Sequence, residues 1–285
     1  MQTTDYSLLT RVFTRTVIAD FAKGRTNGVF QNAVNNFISP SCEMTNLSAI
    51  DELYNILRKN YRNEYYYKNT LLNKLLLGVH STSTTTALTE LPVGKAKADF
   101  VLINGKAVVY EIKTELDNFE RLDDQILNYY RSFDHVAVVT CESNYDAVLE
   151  KYASSTVGIY VLTKSSTLRL VKKPDIYKEN INHYDLFSIL RKSEYENILT
   201  ALGISLPDVS QFEYYNACFD LFCKLDIEKV YKLFLAQLKA RNKHVNEYLE
   251  YIPRALKSLG YFCNFSSLQY IQINTFLNKP FMIRR

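Results

Sequence analysis

The chain has 285 residues, of which 47% are apolar and 22% charged, and its 34 basic and 30 acidic side chains leave a formal net charge of +4. That apolar content excludes disorder as the dominant state, and so small a net charge excludes reading nucleic-acid binding from composition alone. No apolar run reaches the roughly 18 residues needed to cross a bilayer, so no membrane partner is expected. The five cysteines are odd in number and scattered, with no signal peptide before them, which predicts a reduced, cytoplasmic protein. Cys218 and Cys223 lie in a helical pattern without a histidine pair nearby and read as core thiols rather than zinc ligands.

In chain order, helical spacing predicts a first helix over 6–22 with Asp5 as its N-cap, a second over 29–37, and a third capped by Asn46 or Ser48 and running through Leu57. A further helix is predicted over 64–77, followed by a polar Ser/Thr loop over 81–86. Strand-like runs follow at 87–91, 98–103 and 107–113, then a helical stretch over 119–133 and buried, β-branched strands at 136–140 and 157–162. After about Tyr184 everything reads as helix: 186–191, 194–202, 212–224, 227–241, 245–259 and 267–277. The pattern predicts an α/β fold with a mixed sheet flanked by helices. The division is an N-terminal helical segment (1–60), a central core (61–206) and a C-terminal helical region (207–285), with the last boundary at Pro207-Asp208. From Asp208 onward 11 basic residues face 7 acidic ones, so the last quarter holds the whole positive excess.

The chemistry is concentrated in two adjacent strands. Asp99 stands near the start of one, and Glu111 and Lys113 close the next. Period-two alternation puts Glu111 and Lys113 on one face with Val109. Ionisable side chains inside apolar strands are costly to bury without partners, and a divalent cation between two carboxylates offsets that cost. The intervening Asn104-Gly105 invites a two-residue hairpin turn, which would set Asp99 opposite Tyr110. A three-residue loop sets Asp99 opposite Glu111, and shared metal ligation requires that loop or a bulge. On the following helix Arg121, Gln125 and Tyr129 form a polar stripe beside the apolar Leu122, Ile126 and Tyr130.

The order Asp99-x(11)-Glu111-Ile112-Lys113 followed by Gln125-x-x-x-Tyr129 resembles the PD-(D/E)XK nuclease superfamily. More narrowly it resembles the QxxxY branch that includes the RecB nuclease domain and lambda exonuclease. The stretch 110–117, the run from Arg121 to Asp134 and Leu190-Arg191-Lys192-Ser193-Glu194 resemble an uncharacterised bacterial and phage family of that superfamily. The resemblance covers roughly residues 63–203. It implies a restriction-endonuclease-like core in which Asp99 and Glu111 hold Mg²⁺ or Mn²⁺, Lys113 is the catalytic lysine, and Gln125 and Tyr129 support the site and contact nucleic acid. It also implies a further acid on the first core helix: Glu64 matches, with Glu90 on the first strand as runner-up. The proline that names the superfamily is replaced by Ala98.

The function expected from these residues is metal-dependent hydrolysis of phosphodiester bonds, with DNA rather than RNA as substrate. The rival is a non-catalytic nucleic-acid-binding or phage/host protein-interaction factor that retains the nuclease fold. The helical ends are then surfaces for a second copy or a protein partner. Thr114, Glu115 and Asp117 read as a strand-to-helix loop in which Asp117 or Asn118 is the N-cap. His80 and His135 lack partners at metal-ligand spacing. The basic pairs Lys172-Lys173 and Arg191-Lys192 read as solvated, and the tyrosines at 65–67 as helix packing before base stacking.

Overall fold

The computed structural model describes residues 6–80, 82–241 and 248–282. The chain divides into two compact units: residues 1–80, 114–116 and 244–285 form the first, and residues 81–113 and 117–243 the second. The expected cap Asp5, the first loop residue Ser81 and the expected helix start Val245 lie outside the described residues.

The first unit is helical. Its elements are α1 (Ser7–Val12), α2 (Arg15–Phe21), α3 (Gly28–Phe37), α4 (Asn46–Asn60) and α5 (Glu64–Leu71), which runs on as a π-helical turn, Leu72–Leu76. The single helix expected over 6–22 is broken. Phe13 leaves the helical region, Thr14 is extended, and the Thr14 hydroxyl donates to the Arg11 carbonyl at 3.0 Å, an alternative to the helical ladder. A single helix over 245–259 does not form either. Two 3₁₀ turns, Leu249–Tyr251 and Arg254–Leu256, flank Pro253, which has no N–H to continue a helix. Then come α12 (Lys257–Phe262) and α13 (Ser267–Leu277). The two chain ends meet inside this unit: Phe21 stacks on Phe276 at 4.7 Å, Asn46 Nδ2 donates to the Phe276 carbonyl, and Tyr65 donates to the Ala255 carbonyl at 2.6 Å. Tyr66 and Tyr67 are buried, so the tyrosines at 65–67 serve packing.

The second unit is built on a six-stranded mixed sheet in sequential order: β1 (Thr86–Val93), β2 (Ala96–Asn104), β3 (Lys106–Lys113), β4 (His135–Cys141), β5 (Gly158–Leu162) and β6 (Leu168–Lys172). β1, β2 and β3 form an antiparallel meander, β3–β4 and β4–β5 are parallel, and β6 returns antiparallel. Parallel pairing requires a crossover, supplied by α6 (Leu122–Tyr130) and α7 (Tyr145–Tyr152). Every residue of β4 is buried, which accounts for its unbroken apolar character. β6 escapes a sequence reading because it is a short, half-exposed edge strand whose apolar residues are interrupted by Arg169.

The remaining helices of this unit are α8 (His183–Ile189), α9 (Lys192–Ala201), α10 (Gln211–Phe222) and α11 (Ile227–Ala240). α11 is tied to the sheet: Phe234 packs on Phe133, the Asp134 N–H donates to the Tyr231 hydroxyl at 3.1 Å, and Thr86 donates to the Lys239 carbonyl at 2.7 Å. Cys218 is buried as a core thiol should be, but Cys223 is exposed. Lys172, expected to be merely solvated, donates to the Tyr152 carbonyl at 2.8 Å. Gly94 opens the tight β1–β2 turn at φ +57, and a Cβ there would meet Asn128 Oδ1 at 2.6 Å. Gly94→Ala is expected to cost about 1–2 kcal/mol in chemical denaturation, through the left-handed backbone rather than through the movable Asn128 side chain.

Candidate functional site

The β2–β3 connection takes the three-residue form. Ile103 pairs with Ala107 and Asn104 with Lys106, leaving Gly105 at the tip with φ +71, where a side chain would be strained. Continued along the ladder, this register sets Asp99 opposite Glu111. The Ile112 N–H donates to Asp99 Oδ2 at 2.9 Å, and the Asp99 carbonyl accepts from the Thr89 hydroxyl at 2.7 Å. Asp99 is half-buried, whereas Glu111 is 1% exposed and Lys113 8%.

The buried side chains hold one another. Lys113 Nζ lies 3.1 Å from Glu111 Oε1 and donates to Gln125 Oε1 at 2.9 Å. Tyr129 is fully buried, and its hydroxyl oxygen lies 2.6 Å from Glu111 Oε2 and 2.9 Å from the Lys97 carbonyl, each within reach of its one O–H donor. Both Glu111 oxygens are therefore engaged, one by an ammonium and one by a phenol. Burial pushes the Glu111 carboxyl up from its ordinary value, and the Tyr129 hydroxyl and the Lys113 charge only partly counter this. Burial and the adjacent Glu111 charge push the Tyr129 phenol well up as well, with Asp99 adding to the effect, so it remains a hydrogen-bond donor. The stripe Arg121, Gln125, Tyr129 thus runs from an exposed cation through a half-buried amide into the core, while Leu122, Ile126 and Tyr130 are buried beside it.

Of the acids expected as further ligands, Glu90 belongs to the second unit and Glu64 to the first. Glu90 lies opposite Asp99 on β1, and its carboxylate approaches that of Asp99 to within 4.8 Å. Glu90 is a non-glycine residue at φ +53, an unusual backbone state inside a strand, and it also pairs with Lys97 at 2.9 Å. Glu64 belongs to the first unit, in the first turn of α5, where it pairs with Lys68. Also in that unit, Glu115 accepts from Tyr67 at 3.2 Å and lies 3.7 Å from Arg62, and Thr114 caps the Leu116 N–H. Neither Asp117 nor Asn118 caps α6. That position is Arg121, and Asn118 instead accepts from the Glu120 N–H in a local turn.

Leu190-Arg191-Lys192-Ser193-Glu194 forms the start of α9. There Glu194 accepts from the Arg191 N–H at 2.7 Å and from Arg241, directly after α11, at 2.7 and 2.6 Å, which makes this part of the pattern structural. His135 Nδ1 faces Asp134 Oδ1 at 2.8 Å, also away from the Glu111 network. Sequence reasoning missed Lys95, Lys97 and Arg131, which join Arg121 along a cleft of about 790 Å³ onto which Gln125 opens. The available signal was that Arg121, Gln125, Asn128 and Arg131 recur on one helical face.

The fold and these contacts define an α/β protein whose mixed sheet, flanked by helices, buries a Glu–Lys pair beside a basic cleft. Residues 57–259 match the family of bacteriophage P4 protein cII, and the chain belongs to that family. It is similar to "Protein cII" of Enterobacteria phage P4, with 25% identity over 184 residues, 62% of this chain and 64% of the phage protein. The match thus spans just under two thirds of that relative's length. No solved structure matches the chain. Among the described residues, no helix is long and apolar enough to cross a membrane.

Proposed function

We propose that the second unit is a metal-dependent nuclease of the PD-(D/E)XK type, with a restriction-endonuclease-like core that hydrolyses phosphodiester bonds in DNA rather than RNA. The observation that carries this reading is the buried Lys113, tied at once to Glu111 and Gln125, with Asp99 opposite Glu111 in the strand register. An ammonium held inside a sheet by a glutamate and a glutamine has no need to be there for stability alone, since apolar residues would fill the space at lower cost.

The donor set fits a hard divalent cation. Asp99 takes a backbone N–H on Oδ2, the Glu90 carboxylate approaches that of Asp99 within 4.8 Å, and Glu111 stands opposite Asp99 in the strand register with its carboxyl pushed up. Asp99 and Glu111, with Glu90 beside them, would hold Mg²⁺ or Mn²⁺, which when bound supplies positive charge to the phosphate and acidity to a water. The side chains of this chain do the rest. Lys113 has a third N–H beyond those facing Glu111 and Gln125, and it directs this toward the attacking water and a phosphoryl oxygen. Gln125 fixes the ammonium, and Tyr129 fixes the glutamate. As the water oxygen bonds to phosphorus it gives up a proton to solvent, the bond to the leaving oxygen breaks, and that oxygen takes up a proton from solvent.

Kinship with a protein of a phage agrees with a role in a mobile element. The test is cleavage of linear, circular and single-stranded DNA with Mg²⁺ or Mn²⁺. Cleavage of linear DNA alone means an exonuclease, and loss of circles an endonuclease. Intact substrates under every condition would remove the catalytic reading and leave the non-catalytic one. Metal binding has its own readout. Saturating Mn²⁺ is expected to raise the midpoint of thermal unfolding, with about 2.7 kcal/mol gained at 100 times the dissociation constant. Asp99→Asn should abolish the rise, and an equal rise in that variant would exclude Asp99 as a ligand.

A further inference from the structure

Beside the Glu111 network, α6 and the β1–β2 turn enclose the cleft of about 790 Å³, with Lys95, Lys97, Arg121, Gln125, Asn128 and Arg131 along it and Asp124 as the carboxylate among its lining residues. Two features show that it is built rather than accidental. Asn128 accepts from the Lys95 N–H at 3.2 Å and donates to the Asp124 carbonyl at 2.6 Å, which holds the turn against the helix. Opposite them, Arg131 is about half exposed, yet its Nε donates at 2.7 Å to the carboxylate of Asp185, whose side chain is only 2% exposed. Asp185 is itself fixed by Asn182 Nδ2 at 2.7 Å and by its place in the first turn of α8. A buried carboxylate thus orients the guanidinium through Nε. Among the described residues the two Nη groups take no protein partner, nor do Lys95 and Arg121 enter an ion pair.

We infer that this cleft binds the phosphodiester backbone of a nucleic-acid strand, with Arg131, pre-oriented by Asp185, as its phosphate clamp. This inference rests on the nuclease reading only for the direction in which the strand runs, toward Gln125 and Lys113. A guanidinium held by one edge presents its remaining N–H groups as a planar fork, which suits two oxygens of a phosphate better than a mobile lysine does. Arg121 and Arg131 flank α6 ten residues apart, about 15 Å along a helix. That length takes several phosphates, since one strand carries a charge for about every 3.4 Å of duplex axis. Four cations and the carboxylate of Asp124 line the cleft, Lys97 being paired with Glu90 and Arg131 held by Asp185 through Nε, and no aromatic platform stands among the lining residues, so it reads phosphates rather than bases.

The experiment is fluorescence anisotropy of the whole chain, in EDTA to prevent cleavage, with labelled 20-nucleotide DNA and RNA strands of one sequence over a range of salt. Arg131→Gln is expected to weaken binding at least fivefold at 100 mM salt and to reduce the slope of log affinity against log salt by about 0.7 per lost contact. Asp185→Asn keeps the arginine but loses its anchor, and a two- to fivefold loss is expected. Lys229→Gln, an exposed lysine on α11, should stay within twofold of wild type. Wild-type affinity in Arg131→Gln or an equal loss in Lys229→Gln would each overturn the backbone clamp. Binding that behaves as expected without cleavage in Mg²⁺ would remove the nuclease reading alone. Cleavage by an Arg131→Gln variant of undiminished affinity would remove the clamp alone.

Discussion

Lys113→Ala is expected to lower phosphodiester cleavage by about 10²–10⁴-fold, the range lost with a positioned proton-transfer or charge-stabilising group. The ammonium sits between Glu111 and Gln125, so truncation removes the one cation in contact with the buried carboxylate. Glu111 would then take up a proton more readily, because burial already pushes its carboxyl up and the Lys113 charge is one of the influences opposing this. Tyr129 would still hold the carboxyl through its hydroxyl. The variant should therefore keep its circular dichroism spectrum and cooperative unfolding while cleavage is lost. Cleavage at the wild-type rate, from a folded variant and with either metal, would eliminate Lys113 as a catalytic group.

The largest effect on stability is expected at Arg241→Leu, about 3–5 kcal/mol, because it strands Glu194 as an uncompensated buried charge. Both side chains are about 9% exposed. Two of the guanidinium nitrogens bond to the carboxylate, and Nη2 also donates to the Ile189 carbonyl at 2.8 Å. The double variant Arg241→Leu with Glu194→Leu should recover most of the loss in urea titrations, since no buried charge remains. If the single variant unfolds at the wild-type midpoint, the pair contributes nothing. Burial pushes the Glu194 carboxyl up, but the Arg241 hydrogen bonds and the Arg191 N–H outweigh it and hold the group below its ordinary value. A carboxylate whose folded value is depressed stabilises fully above its unfolded value of about 4.3. That contribution is lost as pH falls through the lower folded value, so Arg241→Leu and wild type should converge in acid.

The strand pattern was legible because β3 and β4 are short apolar runs buried almost throughout and β2 is buried from Phe100 to Ile103, and such runs leave little alternative to a sheet. The helical stretches were legible from their apolar spacing, but their ends were not. The break at Phe13-Thr14 turns on one hydroxyl bonding a carbonyl, and the interruption at Pro253 on a missing N–H within an otherwise helical pattern. At the candidate site the residue types stood out as charges inside apolar strands. The hairpin register did not, because Asn104-Gly105 is compatible with loops of either parity and only the observed ladder chooses.

By itself the sequence determined an α/β chain with a mixed sheet and drew attention to Asp99, Glu111, Lys113, Gln125 and Tyr129, since periodicity and the cost of burying charge are local properties. Only the tertiary structure decided that both chain ends share one helical unit, that α11 closes on the sheet, and that Asp185 turns Arg131 into the cleft. Those outcomes depend on residues up to 230 positions apart, such as Asn46 and Phe276, and pairing at that distance is set by packing and hydrogen-bond satisfaction rather than by any spacing along the chain.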